Sequence, residues 1–160
     1  MPLQNHSVLL LDCGANTDCT PEYLLQFAFL GSYYMQEMLK IDHPSVGLLN
    51  NGTESEKGGT LQKEAYQLLK HSDEQGLIHF AGHIEGRDIL LGSADVIVSD
   101  GFSGNIALKT IEGTAVYMGR LVKNVFMKNI KTKLAGLLVR SELSNMKRSL
   151  DYTQVGGAPL

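Results

Sequence analysis

The chain has 160 residues, of which 43% are apolar and 19% charged, so its size and composition suit one globular domain. These values exclude a disordered chain, and the 17 glycines follow no fibrous repeat. The net charge of −3 is unevenly distributed: residues 1–111 carry 6 Lys/Arg and 14 Asp/Glu, whereas residues 112–160 carry 8 and 3. The basic last part predicts an anionic partner, either a lipid surface, an acidic protein or a nucleic acid.

The two cysteines, Cys13 and Cys19, have neither the number nor the spacing of a disulfide framework or a zinc site. Reduced thiols are typical of the cytoplasm, and no signal peptide precedes Val8. The longest apolar runs are shorter than the roughly 18 residues of a membrane-spanning helix. We therefore predict a cytoplasmic protein with at most peripheral membrane contact.

Four short apolar runs predict buried β-strands, at residues 7–11, 45–49, 77–81 and 95–99. A first helix is predicted from Thr20 as N-cap to about Lys40. Its apolar stripe is Leu24, Ala28, Gly31, Met35 and Met38.

A second helix carries Leu61, Ala65 and Leu68. A third begins at Asn105, and its stripe is Leu108, Ile111, Ala115, Met118, Val122 and Val125. Strands that alternate with helices indicate an α/β fold, a mostly parallel sheet with helices on both faces. The loops after the strands then lie at the carboxyl edge of the sheet, where open α/β sheets bind ligands.

Two of these loops are rich in polar residues and glycine. In residues 12–18, Gly14 allows close backbone approach and Asn16 offers hydrogen bonds, although a plain turn is the favoured interpretation. Residues 50–59 lead into a helix whose N-terminus attracts anions, and Lys57 adds a positive charge. A solvated surface loop explains residues 50–59 equally well, because the full Walker pattern is absent.

Residues 100–109 (DGFSGNIALK) form the most specific segment. Gly101 and Gly104 permit unusual backbone angles, while Ser103, Asn105 and backbone amides can hold a phosphate or a developing oxyanion. Lys109, one turn into the predicted helix, can reach the same anion. The alternative is that Lys109 is only a helix-facing lysine and that Phe102 fills the core.

Histidines offer a weaker signal. We predict no metal site at His79, His83 and Glu85, because no HExxH pattern or thiolate partner accompanies them. At the end of a predicted strand, His83 is interpreted as an acid/base or hydrogen-bonding residue. No base can be paired with Cys13, so the sequence does not support a cysteine nucleophile.

A basic amphipathic helical segment is predicted at residues 112–150. Its apolar residues border lysines in a pattern that suits either the membrane interface or a helix packed on a domain or second subunit. The residues expected to contact membrane or partner are Phe126, Ile130, Leu134, Leu137, Leu138, Lys131 and Lys133.

Several motifs in order across the chain resemble the bacterial phosphate acyltransferase (PlsX) family: LLDCGANTDC, VGLLNNGTESEKG, FAGHIEGRDIL, VIVSDGFSGNIALKTIEG and GGAPL. The resemblance implies a Rossmann-like three-layer α/β/α fold, similar to phosphotransacetylases and to isocitrate and isopropylmalate dehydrogenases. It implies transfer of an acyl group from acyl carrier protein to inorganic phosphate in phospholipid synthesis, without metal or organic cofactor. A homodimer attached peripherally to an anionic membrane surface is also implied, with no nucleic-acid partner. Because the family is longer, we expect residues 1–160 to be a single α/β domain that is an incomplete part of the enzyme.

The resemblance also implies site residues, matched motif by motif. The expected catalytic residues are Lys109, Asn105, Asp100 and Lys57. The expected substrate- or phosphate-binding residues are Asn16, Asn50, Gly52, Glu54, Gly58, Gly101, Ser103, Gly104 and His83. Asn51 and His83 depart from the family's usual residues, a branched apolar residue and Asn respectively.

Two other functions remain open at this point. One is a domain of the nicotinamide-nucleotide dehydrogenase type, against which stands the absence of a G-x-G-x-x-G motif after the first strand. The other is a non-catalytic scaffold for lipid-synthesis partners.

Overall fold

The structure, a computed structural model, describes residues 7–149, with side chains as far as residue 145. The GGAPL motif and the last residue of the predicted basic segment lie outside the described residues. By its internal contacts the chain divides into two compact units, the first ending at Leu108 and the second beginning at Lys109. The single domain over residues 1–160 stays a prediction.

Four parallel strands form the sheet of the first unit, in the order β1-β4-β2-β3. They are β1 (Leu9–Leu11), β2 (Ser45–Asn50), β3 (His79–Glu85) and β4 (Val96–Val98). Since β4 lies between β1 and β2, the loops that follow these three strands are neighbours at the carboxyl edge. The α/β fold is confirmed, and it is consistent with the Rossmann-like three-layer class.

The third strand was predicted at residues 77–81, but it begins two residues later and ends four residues later, at Glu85. Its pairing with β2 contains a bulge, because Val46 pairs with Phe80 while Gly47 pairs with Gly82. Gly82 adopts φ +94°, a conformation that glycine accepts without strain. The strand therefore continues through Gly82, and the loop at the sheet edge follows Glu85 rather than Ala81.

Two helices cover one face of the sheet. Helix α1 (Pro21–Leu39) is capped by Thr20, and α2 (Thr60–Glu74) follows β2. In the predicted stripe of α1, Met38 is exposed and the other four residues are buried. Leu69 rather than the predicted Leu68 is the fully buried leucine of α2. The core on this face contains Leu24, Ala28, Met35, Val46, Leu48, Ala65, Leu69, Val96 and Val98.

Helix α3 (Gly101–Met127) begins four residues before the predicted start at Asn105. The buried Asp100 carboxylate accepts a hydrogen bond from the Ser103 amide at 2.7 Å, as an N-cap residue does. Gly101 and Gly104 are therefore helical, and neither adopts the unusual backbone angles that glycine permits. Glycine is required because the loop after β1 packs closely on the start of α3: a Cβ at Gly104 would collide with the backbone oxygen of Asp12.

The second unit contains the rest of α3, then α4 (Ile130–Leu138) and α5 (Arg140–Ser149). Asn129 caps α4, its side chain accepting from the Thr132 amide. Apolar side chains of the predicted α3 stripe are exposed here, Met118 by 50% and Val125 by 62%. Among the described helices, none has both the length and the hydropathy needed to cross a bilayer.

Candidate functional site

A cleft of about 420 Å³ opens at the carboxyl edge of the sheet, within the first unit. It lies between the loop after β2, the start of α2, the residue that follows β3 and the start of α3. The lining residues are Leu49, Asn50, Asn51, Gly58, Gly59, Gln62, Gly86, Ser103, Ile106 and Ala107. The loop that carries Lys57 and the start of α3 thus border one cleft, as the sequence predicted for two neighbouring loops.

Hydrogen bonds of Asn50 organise the loop after β2. Its amide nitrogen donates to the Lys57 carbonyl at 3.1 Å, and its amide oxygen accepts from the Asn51 backbone at 2.9 Å. Asn50 therefore joins the two ends of the loop rather than projecting as a free ligand. Gly58, at φ +92°, leaves room for this contact, because a Cβ there would lie 2.6 Å from the Asn50 amide oxygen.

Within the loop, two charged side chains lie beside the buried Gly52. A Cβ at Gly52 would lie 2.8 Å from Glu54 Oε2 and 3.0 Å from Lys57 Cγ. Glycine at this position therefore allows the carboxylate and the aliphatic part of the lysine to pack against the backbone. Lys57 itself is exposed, so its ammonium is accessible to a dissolved anion.

His83 lies inside β3, not at a strand end as predicted, and only 5% of it is exposed. Its Nδ1 is 2.7 Å from the Asn50 amide nitrogen and 3.1 Å from the Glu54 carbonyl oxygen. Because the backbone contacts of Asn50 orient its amide, we assign Nδ1 as the acceptor of that hydrogen bond. This assignment puts the proton on Nε2, a buried atom with no hydrogen-bond partner among the described residues. Burial lowers the pKa of His83, and this effect outweighs the Glu54 and Gly52 carbonyls, which raise it. The lowered pKa favours the neutral imidazole. His83 thus stabilises the loop after β2 through its contact with Asn50.

The start of α2 faces the cleft without a side-chain cap. Gly59 is its N-cap residue, and the Gly59 amide donates to Gln62 Oε1 at 3.1 Å. The first amides of a helix have no partner within it and carry partial positive charge. Since Gly58, Gly59 and Gln62 all line the cleft, this end of α2 can bind an anion.

The loop after β1 packs against the start of α3. The buried Asp12 carboxylate accepts from the backbone amides of Gly14, Ala15 and Asn16 and from the Asn16 side chain. Burial raises the pKa of Asp12, but these hydrogen bonds together outweigh it and hold the pKa below its ordinary value. The Asn16 carbonyl in turn accepts from the Gly101 amide at 2.8 Å. Asp12 therefore holds this loop together, and the Asn16 carbonyl joins the loop to the start of α3.

Asn105 lies on the first turns of α3, exposed and beside the loop after β1. Its Cγ would be 3.8 Å from a Cβ built on Gly14. Asp100 contacts the Ser103 amide and so orients the end of the helix. Phe102 is 62% exposed, so the alternative that it fills the core is wrong. Lys109 lies two turns into α3 and opens the second unit, where its Nζ is 2.9 Å from Glu112 Oε2.

Neither cysteine has the environment of a nucleophile. Burial raises the pKa of Cys13 to about 11, and the neighbouring Asp12 charge adds to the effect. The Cys13 thiol donates to the Leu10 carbonyl at 3.3 Å. In the part of the chain that the structure describes, no group of three His, Cys, Asp or Glu side chains is arranged to hold a metal ion.

The comparison with known families shows which family the chain belongs to. The model of the family described as "Fatty acid synthesis protein" matches residues 1–160. The chain belongs to this family. Membership agrees with the resemblance inferred from the motifs and lends no support to a nicotinamide-dependent dehydrogenase.

Curated members of the family carry the name phosphate acyltransferase. The protein from Thermoanaerobacterium thermosaccharolyticum is 48% identical over 160 residues, which are 100% of this chain and 47% of that protein. The protein from Oceanobacillus iheyensis is 53% identical over 152 residues, 95% of this chain and 45% of that protein. The chain thus spans slightly less than half the length of these relatives.

Sequence reasoning missed several cleft residues. Gly59 and Gln62 belong to the cap of α2, and the glycine pair before the helix was an available signal. Gly86 was missed because the end of β3 depends on the bulge. Ile106 was missed because α3 begins earlier than predicted, which places Ile106 in the cleft. The N-cap spacing of Asp100 and Ser103 was a signal for that earlier start.

Proposed function

We propose that this chain forms part of a cytoplasmic acyltransferase that moves a fatty acyl group from acyl carrier protein to inorganic phosphate. In this reaction a phosphate oxygen attacks the thioester carbonyl, the carbon–sulfur bond breaks, and acyl phosphate and the free carrier thiol result. The observation that carries the proposal is the cleft, where the uncapped start of α2 and the start of α3 converge. The name of the curated relatives supports the choice of reaction.

The proposed division of labour follows from residue chemistry. Amides at the start of α2, with the accessible Lys57 ammonium, bind the phosphate dianion and reduce its repulsion from a thioester. Ser103 and Asn105 donate to the phosphate or to the oxyanion that forms on the carbonyl, and Lys109 adds charge. Asp100 orients the Ser103 amide. Phosphate is itself the nucleophile, so no activated serine or cysteine is required.

Release of free thiol from an acyl carrier protein thioester tests the proposal in the full-length protein. We expect release to depend on inorganic phosphate and to fall about 100-fold in Asn105→Ala, the usual effect of losing one such donor. Lys57→Ala and Lys109→Ala should reduce it as well. Lys70→Ala, an exposed lysine further along α2, is the matched control and should be normal. Phosphate-independent release, or normal rates in all three site variants, would contradict the proposal.

We further propose that the enzyme is a homodimer associated peripherally with anionic membranes through the second unit. Ile130, Leu134 and Leu138 recur at helical spacing on α4 and are 77%, 59% and 86% exposed. Lysines Lys128 and Lys131 lie beside them. Exposed apolar residues bordered by cations are typical of interfacial helices.

Flotation with anionic liposomes measures this association. The double variant Leu134→Glu and Leu138→Glu should leave the lipid fraction, because it places two carboxylates where apolar side chains would insert. Thr114→Glu, at an exposed position earlier on α3, is the control. Undiminished flotation of the double variant would favour α4 as a helix packed against protein.

A further inference from the structure

A second concave site lies within the second unit, between the later part of α3, α4 and the start of α5. It is a groove of about 730 Å³, and most of its lining is apolar. Its apolar side chains are Val122, Phe126, Met127, Leu137 and Leu143. We name it the basic groove because Lys123, Lys133 and Arg140 also line it.

These three cations converge from three helices on one apolar surface. Lys123 is on α3, Lys133 on α4 and Arg140 is the first residue of α5. In the described part of the second unit, Lys109 forms an ion pair with Glu112. No carboxylate of that part lies within ion-pair distance of Lys123, Lys133 or Arg140. An anionic group in the groove would therefore meet positive charge that the protein does not neutralise itself.

The volume and lining of the groove restrict the chemical class of molecule that can bind there. A volume of about 730 Å³ falls in the range of small-molecule sites, and an apolar floor matches a hydrocarbon chain rather than a sugar or nucleotide. Gly136, also in the lining, keeps α4 close to α3, because a Cβ there would lie 3.2 Å from the Phe126 ring. Of the residues that the sequence predicted to contact membrane or partner, Phe126, Leu137 and Lys133 line the groove, whereas Ile130, Leu134 and Leu138, which carry the proposed membrane contact, do not.

We propose that the basic groove binds one long-chain acyl molecule through its chain and its anionic headgroup. The chemical class is that of an acyl phosphate, so this inference rests on the proposed function in naming the product as the natural ligand. The chain occupies the apolar floor, and Lys123, Lys133 and Arg140 bind the headgroup. The groove thereby holds a single amphiphile apart from the bilayer surface.

Calorimetric titration with dodecyl phosphate, below the concentration at which it forms micelles, tests the proposal in the full-length protein. With inorganic phosphate at a saturating concentration to occupy the cleft at the sheet edge, we expect one molecule to bind per chain in the groove. Lys133→Glu and Arg140→Glu should each weaken binding at least about tenfold, because each replaces an attraction with a repulsion. Lys128→Glu makes the same charge change on an exposed lysine outside the lining and should leave the affinity unchanged.

A filling variant separates the groove from the membrane surface. Val122→Trp adds apolar bulk inside the groove without altering charge, so it should abolish dodecyl phosphate binding while liposome flotation persists. Circular dichroism confirms that each variant remains helical, and any that unfolds is replaced by Leu143→Trp. Uncharged dodecyl maltoside should bind at least about tenfold more weakly than dodecyl phosphate.

Three results would overturn the proposal that the groove binds an acyl phosphate. They are dodecyl phosphate binding that survives Val122→Trp, an equal loss of affinity in Lys128→Glu and Lys133→Glu, or no binding by the wild-type protein. The thiol-release assay distinguishes this failure from failure of the proposed function. Turnover without dodecyl phosphate binding overturns the groove alone. Binding without phosphate-dependent turnover overturns the proposed reaction and leaves an anionic-lipid groove.

Discussion

At the scale of single residues, His83 shows how a buried side chain can control a loop it does not belong to. Its Nδ1 accepts from Asn50, and Asn50 in turn bonds the Lys57 carbonyl. Protonation would turn Nδ1 into a donor, so it would lose Asn50 and turn to the Glu54 carbonyl, 3.1 Å away. The neutral imidazole is therefore part of the loop's architecture.

This arrangement predicts a specific pH dependence of stability. Burial lowers the pKa of His83 in the folded state, so its contribution is complete above the unfolded value near 6.5 and is lost as the pH falls through the folded pKa. We expect the free energy of unfolding, measured with urea, to decrease between pH 7.5 and pH 5. In His83→Leu it should be about 1–3 kcal/mol lower at pH 7.5, because Asn50 loses its acceptor.

Two variants control the His83 experiment. His83→Asn offers an amide oxygen in place of Nδ1, so it should recover much of the stability while removing this titration. His79→Asn changes an exposed histidine on the same strand and should keep the wild-type pH dependence. An unaltered pH profile in His83→Leu would show that His83 does not support the loop.

At the scale of elements, the helices differ in how their first amides are capped. Thr20, Asp100 and Asn129 use side chains to bond amides of α1, α3 and α4, whereas the cap of α2 is Gly59. A glycine cap leaves the first amides of α2 accessible to a ligand, at a cost to helix stability. The proposed phosphate binding and the stability of α2 therefore favour different residues at position 59.

Replacing Gly59 tests that opposition. Its φ of −77° suits any residue, and a Cβ would meet only the Gln62 side-chain oxygen, at 3.2 Å. Gly59→Ser and Gly59→Asp should each add a few tenths of a kcal/mol or more to the free energy of unfolding, since serine and aspartate are better caps. Thermal unfolding in phosphate-free buffer measures the change, and a lower melting temperature in both variants would contradict the account of this helix end.

At the scale of the whole molecule, local patterns predicted the elements whose signals are local. β1, β2 and β4 follow from apolar runs, and α1 from the Thr20 cap with Pro21. The end of β3 could not be predicted in this way, because it depends on a bulge against β2, a strand more than thirty residues earlier. Local periodicity likewise predicts an apolar stripe but not what covers it, and Met118 and Val125 of the predicted α3 stripe are exposed.

The candidate site was predicted in outline for the same reason. The loops after β2 and β4 are recognisable from their glycine and polar residues, and parallel topology brings them to one edge. The roles inside the site depend on distances that no spacing encodes. Asp100 caps a helix, His83 holds Asn50, and Asp12 binds three amides of its own loop.

The central claim is that the start of α2 binds inorganic phosphate at the cleft. Calorimetric titration of phosphate into the wild-type, Gly59→Ser and Gly59→Asp proteins tests it most directly. We expect the wild-type protein to bind, Gly59→Ser to bind more weakly, and Gly59→Asp to lose at least about tenfold in affinity, because its carboxylate takes the amides and repels the dianion. Equal phosphate affinity in all three proteins would contradict the claim.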